Sequence, residues 1–143
     1  MSQPEMITVK TTVACSPAEA WHAFTTPEAI MAWNFASPDW QCPAARVDLR
    51  VGGKHWARME AKDGSFGFDF TATYEAVDPP HVLALRLDDG RLARTVFEPG
   101  PDGTEVTTQF DPDPEASVEM QQGGWQAILD NYKRYAEAMT PKT

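Results

Sequence analysis

The stretch His55-Trp56-Ala57-Arg58-Met59-Glu60-Ala61-Lys62-Asp63-Gly64-Ser65-Phe66-Gly67-Phe68-Asp69-Phe70-Thr71-Ala72 decides the fold. Asp63-Gly64 is a strong two-residue hairpin signal, and the flanking residues alternate in character. Together they fix a register: Lys62 opposite Ser65, Ala61 opposite Phe66, Met59 opposite Phe68, Ala57 opposite Phe70 and His55 opposite Ala72. The last four pairs then share one face, and Arg58 falls across from Asp69 on the other, a favourable cross-strand charge pair. The second strand of this hairpin runs on to Val77 and stops at Asp78-Pro79-Pro80.

Working outward, residues 46–51 alternate between Val47, Leu49, Val51 and Arg46, Asp48, Arg50, which predicts a strand turned by Gly52-Gly53. Residues 34–43 hold two prolines and no periodicity, and read as a loop. Downstream, Val82–Leu87 and residues 91–98 are joined by Asp88-Asp89-Gly90. A tight turn there would put Arg94 and Glu98 on the face of Leu83, Leu85 and Leu87. A three-residue loop with Gly90 left-handed puts Ala93, Thr95 and Phe97 there instead. Burying two unpaired charges is costly, so the three-residue loop is expected. A further strand, residues 104–111, turns Val106, Thr108 and Phe110 inward. At the other end, residues 6–14 alternate, with Ile7, Val9, Thr11 and Val13 on one side.

Two helix starts follow that first strand. Ser16 precedes Pro17, with Glu19 placed to close a capping box, and Ala20, Trp21 and Phe24 form the apolar side. Thr26-Pro27-Glu28 repeats the signal, and the second helix should carry Ile30, Met31 and Trp33 inward. A long final helix, starting between Asp113 and Ser117 and ending near Met139, has an apolar stripe of Val118, Trp125, Ile128, Leu129, Tyr132, Tyr135, Ala136 and Met139. Gln121, Gln122, Gly123 and Gly124 interrupt the stripe. Two adjacent glycines cost a helix about 1–2 kcal/mol relative to alanine, which points to close backbone approach or to room left open, and Gly124 is expected to lie where the backbone closely approaches another element.

The elements add up to an α+β architecture: a seven-stranded antiparallel sheet wrapped around a long C-terminal helix, with two short helices after strand one. At 143 residues the chain is expected to be one domain, residues 1–143. Its net charge of −9 argues against nucleic acid and anionic membrane, which need a basic footprint. No apolar run approaches the roughly 20 residues of a membrane span. The N-terminus lacks the basic-then-apolar layout of a secretion signal, and Cys15 and Cys42 form no CxxC or disulfide framework, so a cytoplasmic location is expected.

Ser16-Pro17-Ala18-Glu19-Ala20-Trp21, Thr26-Pro27-Glu28 followed by Trp33, Val51-Gly52-Gly53, the run from Tyr74 to Pro80, Gly103-Thr104, and Gly124-Trp125 with Leu129 span nearly the whole chain. In this order and spacing the sequence resembles the SRPBCC superfamily, also called START-like or helix-grip. Within it the chain is similar to the branch related to the C-terminal domain of the activators of the ninety-kilodalton heat-shock-protein ATPase. The resemblance implies an apolar ligand cavity between the sheet and the final helix. Some relatives are cyclases or hydrolases, others only bind, and the namesake branch includes co-chaperones. Many relatives carry a His shortly before the Gly-Trp pair, where this chain has Gln121, so an acid/base role is not carried over to that position.

No catalytic constellation stands out from the residues themselves. His22, His55 and His81 have neither HxH nor HxxxH spacing, there is no GxSxG elbow and no Gly-rich phosphate cradle, and no metal or cofactor is expected. The inward sets are His55, Ala57 and Met59; Phe66, Phe68, Phe70 and Tyr74; Leu83 and Leu85; and Thr95 and Phe97. They should face Gln121, Gln122 and Trp125 across a gap, with Trp33 at one end. That composition predicts a mainly apolar pocket of at least ~300 Å³, with His55, Tyr74 and Gln121 as its polar handles. The expected function is binding of a small, mainly apolar molecule. The alternatives are a cyclase or hydrolase using the same cavity, and a co-chaperone-like interaction module with a chaperone partner.

Overall fold

A computed structural model of the protein describes residues 6–139. In chain order the elements are β1 (Ile7–Val13), α1 (Pro17–Thr25), α2 (Pro27–Trp33), β2 (Trp40–Val47), β3 (Lys54–Ala61), β4 (Gly67–Asp78), β5 (Val82–Leu87), β6 (Leu92–Gly100), β7 (Gly103–Phe110) and α3 (Val118–Met139). The strands form one antiparallel sheet in the order β1-β7-β6-β5-β4-β3-β2. Leu129, Tyr132 and Ala136 of α3 join the sheet's inner side chains and α1 and α2 in one apolar core.

The β3–β4 register is the predicted one: His55 pairs with Ala72, Ala57 with Phe70, Met59 with Phe68 and Arg58 with Asp69. The turn itself is broader than two residues. Asp63 accepts from Ser65 N at 2.8 Å and keeps a negative φ, and only Gly64 is left-handed, at 81°. Between β5 and β6 the three-residue loop forms, with Gly90 at φ 94°, and Leu83 and Leu85 face Thr95 and Ala93.

Strand two is a correction. It spans Trp40–Val47 rather than residues 46–51, and Leu49 and Val51 are exposed. Residues 48–53 instead wrap into a turn, held by Arg50 on the Asp48 carboxylate and by Gly52 at φ 86°. A Cβ on Gly53 would lie 2.0 Å from the Asp48 carbonyl oxygen, so this wrap needs glycine. Pro43 is tolerated because β2 is an edge strand whose pairing shifts between Gln41 and Ala44.

Other expected burials fail at the margins of the core. Met31 is exposed because Ala29, Ile30 and Trp33 already fill the inner side of two-turn α2. Phe66 and Phe68 keep the inner face, but the hairpin tip runs past the core: Phe66 is 74% exposed and Phe68 49%. Val118 and Met139 project from the two ends of α3 and are exposed.

The helices begin as their sequences dictate. Ser16 and Glu19 close the capping box, Ser16 Oγ accepting from Glu19 N and the Glu19 carboxylate from Ser16 N. Ser117 Oγ accepts from Met120 N at the head of α3. Trp21, Phe24, Trp33, Phe97 and Tyr132 then pack as an aromatic cluster with ring centroids 5.1–5.4 Å apart. Their polar atoms are satisfied locally, Trp33 Nε1 donating to Ala23 O and the Tyr132 hydroxyl to Ala20 O. This cluster fixes α1, α2 and α3 over one half of the sheet and leaves the other half to the hollow described next.

Candidate functional site

Between α2, α3 and the inner face of the sheet the side chains leave a hollow of about 220 Å³. Strand alternation supplies one wall: His55 and Met59 from β3, Phe68, Phe70 and Tyr74 from β4, Leu83 and Leu85 from β5, Ala93 and Thr95 from β6, Thr108 from β7 and Val9 from β1. Trp125, Ile128 and Leu129 of α3 face them, and Phe24, Ile30, Trp33 and Asn34 close the end. Half-exposed Phe68 and half-buried Asn34, Trp125 and Ile128 form the more open side.

Apart from Asn34, whose side chain bonds Cys42, the polar side chains in this apolar setting meet in pairs. His55 Nδ1 lies 3.1 Å from the Tyr74 hydroxyl, and Thr95 Oγ1 lies 2.7 Å from Thr108 Oγ1. The imidazole stands edge-on to Phe70 and Tyr74, at 5.7 and 6.0 Å. Burial pushes the His55 pKa down to about 4. Burial also raises the Tyr74 hydroxyl above its ordinary range, helped by the negative charge of Asp48. Both groups are therefore neutral at pH 7, and the imidazole is a weak base. Among the described residues no Asp, Glu, Lys or Arg lines the hollow. Among the described residues no cluster of His, Cys, Asp and Glu is placed to hold a metal ion.

Of the residues singled out in the sequence, Trp33, His55, Met59, Phe68, Phe70, Tyr74, Leu83, Leu85, Thr95 and Trp125 come together around this space, and Ala57, Phe66, Phe97, Gln121 and Gln122 do not. Ala57 is fully buried, and its single methyl lies between Ala45 and Phe70 in the sheet, too short to reach the hollow. Phe97 turns edge-on to Trp21 and Phe24 and belongs to the packed aromatic cluster. Gln121 folds back on its own helix start: its Oε1 accepts from Asp113 N and its Nε2 donates to the carbonyls of Asp113, Ala116 and Ser117. Gln122 reaches outward to Thr8 O. The hollow is also smaller than ~300 Å³, with Phe24 and Ile30 of the two short helices closing its end.

Gly124 does not touch a neighbouring element; an added Cβ would meet nothing within 4 Å there or at Gly123. The reading of close backbone approach is overturned.

The fold has clear counterparts among known proteins. The pattern of the family described as Activator of Hsp90 ATPase homolog 1-like protein, AHSA1, matches residues 14–137. The chain belongs to the AHSA1 family. An AHSA1-like protein from Aeromonas hydrophila is 44% identical, with a TM-score of 0.88 over 93% of this chain and 92% of that one. A Cytophaga hutchinsonii protein is 41% identical, with a TM-score of 0.80 over 93% and 92%. A Nitrosomonas europaea protein at 20% identity shares the fold, with a TM-score of 0.83 over 95% and 96%. No curated protein matches this sequence.

A second concavity of the AHSA1 domain lies between α1 and the end of α3 and measures about 430 Å³. Most of its wall is exposed surface (Ala18, Glu19, His22 and Met139), so its volume is largely open space. The hollow against the sheet, walled mainly by buried side chains, is the candidate site. Val9, Phe24, Ile30, Asn34, Ala93, Thr108, Ile128 and Leu129 line it without having been singled out as site residues. Strand pairing offered a signal for some of them, since Val9 pairs with Thr108 and Ala93 with Leu85. Asn34, the C-cap of α2, had none.

Proposed function

We propose that this AHSA1-family protein binds a small, mainly apolar molecule in the hollow between its sheet and α3. One observation carries the reading: among the described residues the wall of the hollow is mainly apolar, with a few neutral polar groups and no charged side chain. Ligand sites have that composition, with a few polar groups fixing orientation. The same observation weighs against a cyclase or hydrolase. A general base works best with a pKa near the operating pH, and His55 sits at about 4. We place the protein in the cytoplasm, where Cys15 and Cys42, which form no disulfide, are at home.

Family membership and the exposed Phe66 and Phe68 favour one second reading, an interaction module that docks on a chaperone. Native mass spectrometry of freshly expressed protein tests the first. A bound small-molecule mass released on denaturation, or saturable uptake of ethylbenzene by the bare protein, is expected. A bare protein that takes up no such probe, and that captures a heat-shock protein from lysate, would move the second reading to the front.

A further inference from the structure

The polar groups of the hollow retain hydrogen-bonding capacity of a specific kind. A neutral imidazole and a phenol hold two heteroatom hydrogens between them, and the His55–Tyr74 bond uses one. If Tyr74 donates, the His55 Nε2–H remains as a donor and the phenol oxygen as an acceptor. If His55 donates, the Tyr74 O–H remains as the donor and Nε2 as the acceptor. Either tautomer leaves one donor and one acceptor, one at Nε2 and one at the phenol oxygen, at the two ends of the pair. Among the described residues neither side chain has another hydrogen-bond partner. A hydroxyl, which both donates and accepts, can bond whichever end it reaches in both tautomers, whereas a carbonyl or ether bonds only the end that holds the hydrogen. The edge-on contacts with Phe70 hold the imidazole in one direction. The Thr95 and Thr108 hydroxyl hydrogens, by contrast, rotate to suit.

Charge and size narrow the class further. With no charged side chain on the wall, an ionised headgroup placed inside would be buried without a partner. An apolar cavity of about 150 Å³ holds benzene, so about 220 Å³ takes a molecule of roughly nine non-hydrogen atoms. A sterol or a long acyl chain would project through the open side beside Phe68 and Trp125.

Building on the binding reading above, we propose that the hollow takes a compact, neutral alcohol or phenol of about nine or ten non-hydrogen atoms. Its ring lies among Phe70, Leu83 and Leu129, and its hydroxyl docks on the His55–Tyr74 pair.

The test uses the full chain and four probes: 4-ethylphenol, its isostere 4-ethyltoluene, 4-methylbenzoate and hexadecanoate. Calorimetry should find saturable binding of the first two and none, or far weaker, of the two anions. The imidazole 15N shifts of His55 should move on saturation with 4-ethylphenol and stay still with 4-ethyltoluene. In the double variant His55→Phe/Tyr74→Phe, affinity for 4-ethylphenol should fall about three- to tenfold while that for 4-ethyltoluene does not fall. The 15N experiment on the wild type stands alone if that variant does not fold. Unmoved His55 shifts, or an equal loss for both neutral probes, would overturn the docking of the hydroxyl. Tighter binding of either anion would overturn the class and leave the cavity reading intact. Binding of none of the four would remove both.

Discussion

Gln126 of α3 bonds both backbone groups of Lys10 in β1, accepting from its N–H at 3.3 Å and donating to its carbonyl at 3.1 Å. The side chain acts as a neighbouring strand would. Gln122 on Thr8 O, Lys133 on Thr12 O and Glu137 on Ala14 N continue the cover along the sheet edge. An uncovered edge strand is a template for pairing with another chain. Gln126→Ala should therefore cost about 1 kcal/mol in urea unfolding. The double variant Gln122→Ala/Gln126→Ala should also show concentration-dependent self-association by light scattering. A double variant that stays monomeric at full stability would remove the edge-cover role.

His55 makes stability depend on pH with a definite sign. Above its ordinary pKa of 6.5 the ring is neutral in both states and contributes no slope. As the pH falls from 6.5 towards 4, the unfolded chain takes up a proton that the buried ring does not, and the folded state loses ground. The full loss is about 3 kcal/mol, complete below the folded pKa of about 4. His55→Leu should lose less stability than wild type between pH 7 and pH 4.5. Parallel pH profiles for the two proteins would show that His55 is not buried neutral.

The glycines of α3 make a contrasting prediction. Nothing lies within 4 Å of a Cβ at Gly123 or Gly124, and neither has a positive φ. Gly123→Ala and Gly124→Ala should each stabilise the protein by about 0.5–1 kcal/mol, through helix propensity and a less flexible unfolded chain. A lower melting temperature in either variant would mean that the helix needs its glycine.

Two alanines on the inner face should respond differently to enlargement. Ala57 is fully buried and away from the hollow, so Ala57→Leu should overpack the sheet and cost about 1–3 kcal/mol. Ala93 borders the hollow, so the extra carbons of Ala93→Leu have space to occupy, and stability should stay within about 1 kcal/mol of wild type. Thermal unfolding of the two variants in parallel checks this, and equal destabilisation would contradict the position assigned to the hollow.

The hairpin from His55 to Ala72 was legible because turn chemistry and alternation point to one register. The β5–β6 loop was legible because the other geometry would have buried Arg94 and Glu98. β2 was misread because residues 46–51 alternate like a strand, while the true strand contains Pro43 and a pairing shift. Its ending depends on Asp48–Arg50 and on contacts with Tyr74, whose N–H and carbonyl bond Gly53 and Gly52. Helical spacing placed Gln121 and Gln122 beside the cavity. Local backbone carbonyls and the β1 edge captured their amides instead, a competition that periodicity does not register. Val9 and Phe24 read as core residues, and only the tertiary arrangement sets them beside an unfilled space.

The most direct test is a methyl-resolved NMR titration of the protein with ethylbenzene. Saturable shifts should appear at Ile30, Leu83, Leu85, Ile128 and Leu129, which line the hollow, and not at exposed Leu49 or Val118. The same titration of Ala93→Leu should show those shifts reduced or lost in a folded protein. Shifts that grow without saturating, or that saturate only at Leu49 and Val118, would contradict a ligand-binding hollow between the sheet and α3.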